Sequence, residues 1–549
     1  MTGVDREWWK RAVFYQIYPR SFMDSDGDGV GDLPGIRSRL PYLASLGVDA
    51  LWISPFFKSP MKDFGYDVAD YRDVDPLFGS LDDCRALVDE AHRLGIRVLL
   101  DLVANHTSEE HPWFVEARAS RANPRHSWYL WHPIARRNAL GRPVPPNNWK
   151  CLFELRSAWF ENAATDELYL GTFTRHQPEL DWRNPAVPAE FADILRFWFE
   201  LGVDGFRLDV ATAYFKDAEL RSNPFSWKPL DLFQRHVYDR NRPEVFGALA
   251  ELRKVADERG DRVLVGETHG RDASLAAACH GERGEGLHMA FNFDFLFRPW
   301  SAKAFRDSAR AWYAALPEGA WPNFTLSNHD QIRHARRYRK AGYTDARAKV
   351  AAAMLLTLRG SPFLYYGEEL GMEGGYPPRG QLRDPLGIAT WPLRAYGRDP
   401  ERTPMQWDSS QNAGFTTGTP WLPLERGWRE RNVERELRDP GSVLSFYVSM
   451  IALRRSRPEL ALGSLAFLGD DPGVLAYERR GEGGVSGEGR VLVILNFDAK
   501  ARRAELPSDG SVLLGTHREP GARIQAGTAV LSPCEVLLLA PAERKYPEA

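Results

Sequence analysis

The chain has 549 residues, enough for about three domains and a large buried core. Its 71 basic and 74 acidic residues leave a formal net charge of −3, which gives no electrostatic reason to expect nucleic acid or an anionic membrane as a partner. No apolar run approaches the ~18 residues of a membrane span, so we expect a soluble globular protein without a membrane partner.

The cysteines and the N-terminal stretch bear on the cellular compartment. Four cysteines, Cys84, Cys151, Cys279 and Cys534, are widely separated and lack the spacing of metal ligands. We expect them to be buried reduced thiols, which are typical of cytoplasmic proteins. Because residues 1–20 contain neither the apolar core nor the cleavage site of a signal peptide, we predict a cytoplasmic location.

An acidic loop near the N-terminus has the spacing of an oxygen cage for a metal ion. Counted from Asp24, the first, third, fifth and ninth positions are Asp24, Asp26, Asp28 and Asp32, with glycine at the sixth position and the Val30 carbonyl at the seventh. The twelfth position lacks the Glu of an EF-hand, and no helix precedes the loop. We predict a structural Ca²⁺ site that could also take Mg²⁺; the alternative is an acidic turn without an ion.

Helix patterns alternate with apolar strand patterns along most of the chain. The predicted helices span 34–46, 81–94, 188–201, 244–259, 303–315 and 344–358. The predicted strands span 13–20, 50–56, 96–104, 205–211, 262–267, 289–295, 321–327 and 361–367. Continuous apolar runs indicate strands that are covered on both faces, as in a parallel sheet. Eight such strands predict an α/β fold, a (β/α)8 TIM barrel with its active site at the carboxyl ends of the strands.

Two other segments break this rhythm. Residues 107–182, rich in Pro, Asn and Trp with short strand-like pieces, are predicted to form an inserted domain after the third strand. From 463 to 549 glycine-punctuated apolar runs predict a C-terminal antiparallel β-sandwich. The catalytic barrel would then comprise 1–106 and 183–462. A low-complexity patch at 479–490 is predicted to be a flexible loop.

Charged side chains stand at the ends of three of the predicted strands. Arg207 and Asp209 are two residues apart, so they face the same side of a strand, while Glu267 and Asp330 end later strands. Carboxylates that meet in one bowl should have pKa values that are driven apart. We expect Arg207 to keep Asp209 ionised and an apolar setting to raise the pKa of Glu267. An acid beside an anionic nucleophile suits cleavage of a glycosidic bond, although Arg207 and Asp209 alone could be a structural ion pair.

The strand-end motifs resemble those of glycoside hydrolase family 13, the α-amylase family, in its α-glucosidase and oligo-1,6-glucosidase branch. The resemblance covers nearly the whole chain, and the motifs follow the family's order. They are Asp101-Leu-Val-Ala-Asn105-His106, Gly205-Phe-Arg207-Leu-Asp209, Gly266-Glu267, Ser327-Asn-His329-Asp330, Tyr366-Gly-Glu-Glu369 and Arg402-Thr-Pro-Met-Gln-Trp407.

This resemblance implies the roles of the three acids. Asp209 would be the nucleophile that forms a β-glucosyl-enzyme, Glu267 the general acid and base, and Asp330 the group that stabilises the transition state through sugar hydroxyls. Configuration would be retained, with the carboxyl groups of Asp209 and Glu267 ~5–5.5 Å apart.

The resemblance also implies which residues contact the substrate. They are Asp63, Tyr66, His106, Phe173, Arg207, Val210, His329 and Arg398. The two histidines would bind the nonreducing glucose, although buried neutral histidines are often only satisfied core groups. Asp63 and Tyr66 would cap that glucose, and Arg398 would close the site against Asp63, which makes the enzyme exo-acting on short α-gluco-oligosaccharides.

Three departures from the branch concern the choice of substrate. Residues 152–159 replace the usual Phe-Gly-Gly-Ser-Ala-Trp run, so the place of Phe153 in the pocket is open. Residues 64–67 read Phe-Gly-Tyr-Asp in place of Asn-Gly-Tyr-Asp, and residues 177–181 read Gln-Pro-Glu-Leu-Asp in place of Gln-Pro-Asp-Leu-Asn. Val210, after the nucleophile, resembles enzymes that prefer α-1,6 bonds. A methyl-sized difference there biases specificity without deciding it.

Two alternatives to hydrolysis of α-1,4 and α-1,6 bonds remain. The same site could transfer glucose, as sucrose isomerases and transglucosylating α-glucosidases do, or act on sucrose or trehalose, since hydrolysis and transfer share the glucosyl-enzyme. A noncatalytic binding module of this fold is disfavoured because all three acids are present.

Overall fold

Eight parallel strands form the centre of the computed structural model, which describes residues 5–228, 231–268, 270, 272–393, 397–481 and 489–542. The strands are β1 Phe14–Ile17, β2 Ala50–Ile53, β3 Arg97–Leu102, β4 Gly205–Leu208, β5 Val263–Glu267, β6 Met289–Phe291, β7 Asn323–Thr325 and β8 Ser361–Tyr365. Each lies in a predicted strand. Hydrogen bonding runs from β7 through β8 and β1 to β6, and β6 contacts β7 where the two ends of the sheet meet, so the barrel is confirmed.

Helices follow the strands and cover the outside of the barrel. The main ones are Leu33–Ser38, Leu40–Leu46, Leu81–Arg93, Ala186–Leu201, Glu244–Asp257, Ala273–Ala278, Ala302–Ala315, Thr344–Thr357 and Val443–Ser456. Short helices lie at Trp8–Arg11, Phe293–Leu296, His334–Arg337, Pro385–Ala389, Val433–Glu436 and Pro458–Ala461. In the described part of the chain, no helix combines the length and apolar character that crossing a membrane requires.

The interior of the barrel is filled with apolar side chains, whereas the carboxyl ends of the strands carry polar side chains. Phe14, Trp52, Leu99 and Phe363 belong to one buried apolar cluster inside the sheet. Gly205 starts β4 because the sheet leaves no room there: a Cβ would lie 2.2 Å from the carbonyl oxygen of the neighbouring strand β5. The register that starts here pairs Leu208 at the end of β4 with Gly266, the residue before Glu267 in β5.

The segment between β3 and β4 has its own small sheet. It contains the helix Pro112–Ala119 and three antiparallel strands, Trp131–Pro133, Trp159–Asn162 and Glu167–Leu170. We call residues 107–182 the inserted segment. It returns to the barrel through a bridge between His106 and Glu179, at the end of β3.

The C-terminal part is the predicted antiparallel sandwich. A six-stranded sheet is formed by Ser464–Phe467, Val474–Arg480, Arg490–Asn496, Gly510–Gly515, Arg523–Ile524 and Val536–Pro541, and a second sheet by Arg502–Leu506 and Gly527–Leu531. Leu492, Leu531 and Leu539 belong to the buried cluster between the sheets. Most of the loop predicted at 479–490 lies outside the described residues, which omit 482–488.

Candidate active site

A single buried guanidinium holds three carboxyl groups at the ends of β3, β4 and β5. Arg207 Nη1 donates to Asp101 Oδ1 and to Asp209 Oδ1, both at 2.7 Å, and Nη2 donates to Glu267 Oε2 at 2.5 Å. The Arg207 side chain is 1% exposed. The structure thus brings together Asp209 and Glu267, as the sequence predicts, and adds Asp101, which pairs with Arg207 across β3 and β4.

Three carboxyl groups around one cation cannot all ionise easily. Burial raises the pKa of Asp101 to about 6, although the Arg207 charge opposes this. Burial also raises the pKa of Asp209 well above its usual range, and the charges of Glu267 and Asp101 add to the rise that Arg207 opposes. Arg207 lowers the pKa of Asp209 in the expected direction, but burial and the neighbouring carboxyl groups raise it more, because the guanidinium is shared among three carboxyl groups.

Asp330 has the opposite environment. Its Oδ1 accepts hydrogen bonds from Arg402 Nη2 at 2.7 Å and from Arg398 Nη1 at 3.3 Å, and Oδ2 lies 3.2 Å from His329 Nε2. Burial would raise the pKa of Asp330, but the neighbouring His329 and the two arginines hold it well below the usual range. Burial lowers the pKa of His329 itself to about 4, so this imidazole is neutral near pH 7 and the arginines keep Asp330 anionic. The predicted separation of carboxyl pKa values is found between Asp330 and Asp209.

Tyr66 and His329 form a stacked pair beside the acids. Their ring centroids are 5.3 Å apart with planes 3° from parallel, and the Tyr66 hydroxyl lies 2.5 Å from His329 Nε2. The hydroxyl also donates to Asp101 Oδ2 at 3.2 Å. On the other side of the imidazole, Gln16 Nε2 lies 2.7 Å from His329 Nδ1. Gln16 ends up here because β1 lies next to β8, which no local motif indicates.

His106 lies at the junction of β3 and the inserted segment. Its Nε2 is 3.0 Å from the Tyr66 carbonyl oxygen and 3.1 Å from Gln177 Nε2, and Nδ1 is 3.1 Å from Asn105 Nδ2. Burial lowers the pKa of His106, so it is neutral near pH 7. Because its ring nitrogens already have protein partners, its contact with a sugar stays a prediction.

A tight turn presents Asp63 and Tyr66 to the site. The turn lies between the antiparallel strands Phe57–Lys58 and Asp70–Val74, which follow β2. Asp67 fixes it by accepting from the Asp63 N–H at 2.9 Å, and burial raises the pKa of Asp67 to about 6.

An ion pair closes one side of the bowl. Arg398 Nη2 donates to Asp63 Oδ1 at 2.8 Å, as expected, and Nε donates to Asp384 Oδ1 at 2.8 Å. Gln177 Nε2 donates to the other Asp63 oxygen at 3.2 Å. Asp384 belongs to no motif, and only the folding of the long loop after β8 places it behind Arg398.

An apolar wall lies beside the acids. Phe153 and Phe173 of the inserted segment pack with Val210 and Ala213, which follow the end of β4. The Arg398 guanidinium lies 4.5 Å from the centroid of the Phe153 ring. Phe153 therefore lies beside the ion pair that closes the bowl, despite the altered run around it.

A buried lysine joins the inserted segment to the nucleophile loop. Lys216 Nζ lies 2.5 Å from Glu179 Oε2 and donates to Asn105 Oδ1 at 3.0 Å. The Lys216 and Glu179 side chains are 1% and 0% exposed. The altered residue in the Gln177-Pro-Glu179 motif is thus held by an opposite charge, which fixes the neighbours of His106.

The acidic loop brings three carboxylates together. Oxygen atoms of Asp24, Asp26 and Asp28 all lie within 4.8 Å of one another. Asp24 accepts from the N–H groups of residues 26, 27 and 29 at 2.8–3.0 Å, which curls the chain around it. Three hard oxygen donors in one cluster fit Ca²⁺ or Mg²⁺. Val30 lies two residues after Asp28, and its carbonyl oxygen as a ligand stays a prediction.

Asp32 is engaged mainly with the protein. Its oxygens accept from the Ser25 N–H at 2.8 Å and the Gly35 N–H at 2.6 Å, so it caps the helix Leu33–Ser38. Its part in the cage also stays a prediction.

Comparisons with known proteins agree with this architecture. The profile described as "Alpha amylase, catalytic domain" matches residues 16–463. The chain is 43% identical over 521 residues to a probable alpha-glucosidase of Rhizobium meliloti (strain 1021), with 92% of each chain covered. It is 39% identical over 535 residues to an oligo-1,6-glucosidase of Parageobacillus thermoglucosidasius, covering 92% of this chain and 93% of the relative.

Solved structures give the same result over nearly the whole length. An alpha-glucosyl transfer enzyme superposes with a TM-score of 0.89 at 40% identity, covering 97% of this chain and 99% of the other. The trehalulose synthase of Pseudomonas mesoacidophila MX-45 superposes with a TM-score of 0.87 at 34% identity and the same coverage. The chain belongs to the α-amylase family, glycoside hydrolase family 13, in its α-glucosidase branch.

Proposed function

We propose that the protein is a retaining, exo-acting α-glucosidase that releases glucose from the nonreducing ends of short α-gluco-oligosaccharides. One observation carries this proposal: Asp209 and Glu267 bind neighbouring nitrogens of the same Arg207 guanidinium, beside a bowl closed by Arg398 and Asp63. Two carboxyl groups held this close suit a covalent glucosyl-enzyme, whereas an inverting enzyme needs room for a water molecule between them.

The two acids divide the chemistry in two steps. In the first, the Asp209 carboxylate attacks the anomeric carbon while Glu267 gives its proton to the departing glycosidic oxygen. In the second, the Glu267 carboxylate takes a proton from water, which displaces Asp209 and yields α-glucose. Asp330, held anionic by Arg398 and Arg402, supplies negative charge where the sugar ring becomes positive.

The closed side of the bowl supports exo action. Arg398 is bound to Asp63, Asp330 and Asp384, and all four side chains are largely or fully buried except that of Asp330, which is 29% exposed. A sugar chain cannot continue past such a network, so only a terminal glucose fits. We propose that Tyr66, His106 and His329 bind its hydroxyls and that Phe173 and Val210 contact the next sugar.

Transfer of glucose to a second sugar is the alternative function. Phe153, Phe173 and Val210 form an apolar wall that can hold an acceptor and exclude water. The similarity to an alpha-glucosyl transfer enzyme and a trehalulose synthase supports this candidate. Hydrolysis remains the main proposal because the curated relatives are named for it.

A side-by-side substrate test decides between these functions. We expect measurable kcat/KM for maltose and isomaltose, with glucose as the main product by chromatography. Mostly disaccharide or longer products from concentrated maltose or sucrose would favour transfer. Cleavage of none of maltose, isomaltose, trehalose and sucrose would contradict the proposed function.

As the pH is lowered, activity should be lost at a higher pH than the protonation of an ordinary aspartate would cause. Asp209 must be anionic to attack, and its pKa is raised by burial. We expect kcat/KM for p-nitrophenyl α-glucoside to rise with pH through a midpoint well above that of a free aspartate, whose pKa is about 3.9.

The variant Asp101→Asn tests the cause of that midpoint. It removes one carboxyl group that competes for Arg207, so Asp209 should ionise more easily and the midpoint should move to lower pH. A midpoint in Asp101→Asn that is unchanged or higher would contradict the shared-guanidinium account.

We also propose that the acidic loop binds Ca²⁺, or Mg²⁺ in its place, with a structural role. The cluster of Asp24, Asp26 and Asp28 supports this proposal, with the Val30 carbonyl and Asp32 as the remaining predicted ligands. Asp24 also accepts a hydrogen bond from Thr416 in the long loop after β8, so an ion here would stabilise the contact between two loops at the rim of the barrel.

Added calcium should raise the melting temperature of the chelator-treated enzyme. A ligand at 100 times its Kd adds about 2.7 kcal/mol to the free energy of unfolding, which corresponds to a shift of a few degrees. In Asp28→Asn, where one exposed carboxylate of the cluster is neutralised, the calcium-dependent shift should shrink or disappear. The same shift in both proteins by calorimetry would exclude the loop as the binding site.

We propose a cytoplasmic location and a small oligosaccharide as the substrate, with neither nucleic acid nor a membrane as a partner. The four buried, unpaired cysteines support the reducing compartment, and the net charge of −3 supports the absence of polyanionic partners.

A further inference from the structure

Val210, directly after Asp209, has a backbone conformation that is unfavourable for its side chain. Its φ is 38°, towards the left-handed region that favours glycine. For a β-branched residue this is a genuine outlier, and such strain persists only where the surrounding structure enforces it. Strained residues cluster at functional sites, so the question is what this conformation achieves.

The conformation aims the Val210 peptide N–H at the second carboxyl group of the site. The N–H donates to Glu267 Oε2 at 3.1 Å, and Arg207 Nη2 donates to the same oxygen at 2.5 Å. Within the described part of the chain, the Val210 N–H and Arg207 Nη2 therefore donate to the same oxygen of Glu267, Oε2. Since a carboxyl oxygen that accepts two hydrogen bonds is a poor place for a proton, the proton for the leaving group belongs on Oε1.

Contacts on both sides hold Val210 in place. The N–H of Asp209 donates to the Leu102 carbonyl oxygen at 2.9 Å, and the N–H of Ala213 donates to the Val210 carbonyl oxygen at 2.7 Å. The Val210 side chain, 5% exposed, packs with Phe153 and Phe173 of the inserted segment. The strained turn is thus fixed by β3, by its own next residues and by the apolar wall.

We propose that the Val210 peptide N–H is a positioning group for Glu267, and that the apolar wall holds it in its strained conformation. The proposal rests on the proposed function, in which Glu267 is the general acid and base. It gives residue 210 a second role: beside contacting the next sugar, it orients the carboxyl group that protonates the leaving oxygen.

A single-atom change tests the N–H directly. Incorporating 2-hydroxyisovaleric acid at position 210 keeps the valine side chain but replaces the N–H by an ester oxygen. We expect kcat/KM for maltose, whose leaving group needs a proton, to fall about 10- to 100-fold. For 2,4-dinitrophenyl α-glucoside, whose leaving group needs none, it should fall less than about threefold. The pH dependence for maltose should also shift.

Two side-chain variants separate the N–H from the wall. Val210→Thr keeps the N–H and the branched shape, so the ratio of the two kcat/KM values should stay within about threefold of the wild-type ratio. Phe153→Ala removes part of the wall but leaves the strained valine and its N–H, so the N–H should turn away from Glu267 and the ratio should move towards that of the ester variant. Asp193→Asn, on the exposed surface of the helix Ala186–Leu201, is the control and should leave both kcat/KM values unchanged.

Equal losses on both substrates in the ester variant would overturn the proposal, because a merely structural N–H would not distinguish leaving groups. If the ester protein does not fold, equal losses on both substrates in Phe153→Ala overturn it in the same way. Glu267→Gln separates this failure from that of the proposed function. If Glu267→Gln also shows no dependence on the leaving group, the general-acid assignment itself is wrong; if it does, only the role of Val210 fails.

Discussion

Replacing Asp209 by Asn should lower kcat/KM for maltose by about 10⁴-fold or more, the scale on which catalytic nucleophiles act. Asn keeps the shape of the side chain but cannot attack the anomeric carbon, and neither Glu267 nor Asp330 is bound to the guanidinium nitrogen that aims Asp209. The measurement is a progress curve at high enzyme concentration with maltose and with p-nitrophenyl α-glucoside. Both substrates should lose activity, because every turnover passes through the glucosyl-enzyme.

The same variant should be at least as stable as the wild type. Burial, and then repulsion from Glu267 and Asp101, raises the pKa of Asp209, so removal of its charge relieves both costs. A melting temperature equal to or above that of the wild type, together with lost activity, separates a chemical role from misfolding. Asp193→Asn, on the surface of the helix Ala186–Leu201, is the matched control with unchanged activity. More than about 1% residual activity in Asp209→Asn would contradict its role as nucleophile.

Replacing Glu267 by Gln should lower kcat/KM for maltose by about 10²- to 10⁴-fold, the range of general acid catalysis. Gln fits between Arg207 and the Val210 N–H but has no proton of suitable acidity to give. Substrates with activated leaving groups should lose much less in kcat/KM, because their bond breaks without a proton. The test compares maltose with 2,4-dinitrophenyl α-glucoside under identical conditions.

The companion variant is Glu285→Gln, which changes a carboxyl group on the loop between β5 and β6 away from the acids. Its kinetics should match those of the wild type for both substrates. If Glu267→Gln lost the same factor on both substrates, Glu267 would not be the proton donor, and a different group would have to fill that role.

The barrel was predictable because its signal is local and repeated. Each strand is buried on both faces and therefore appears as an unbroken apolar run, and the ends of β3, β4, β5 and β7 carry recognisable charged residues. Even the one break in a predicted helix had a visible cause. The pattern at 34–46 is two helices that meet at Arg39, because Pro41 has no N–H to continue the first one.

The remaining features of the site depend on contacts between distant segments. Gln16 reaches His329 because β1 lies beside β8, and Asp384 lies behind Arg398 because of how a long loop folds. The upward shift of the Asp209 pKa could not be predicted either, because it also depends on contacts between distant segments. Arg207 and Asp209 are neighbours in sequence, but Asp101 and Glu267, which share the guanidinium, come from two other strands.

The configuration of the first product tests the central claim most directly. Proton NMR of a fresh reaction with p-nitrophenyl α-glucoside, at high enzyme concentration, resolves the two anomers of glucose before they interconvert. Asp209 and Glu267 on one guanidinium predict two displacements at the anomeric carbon, so α-glucose should appear first and β-glucose only later, by mutarotation. β-Glucose as the first product would contradict the covalent glucosyl-enzyme and with it the roles assigned to both acids.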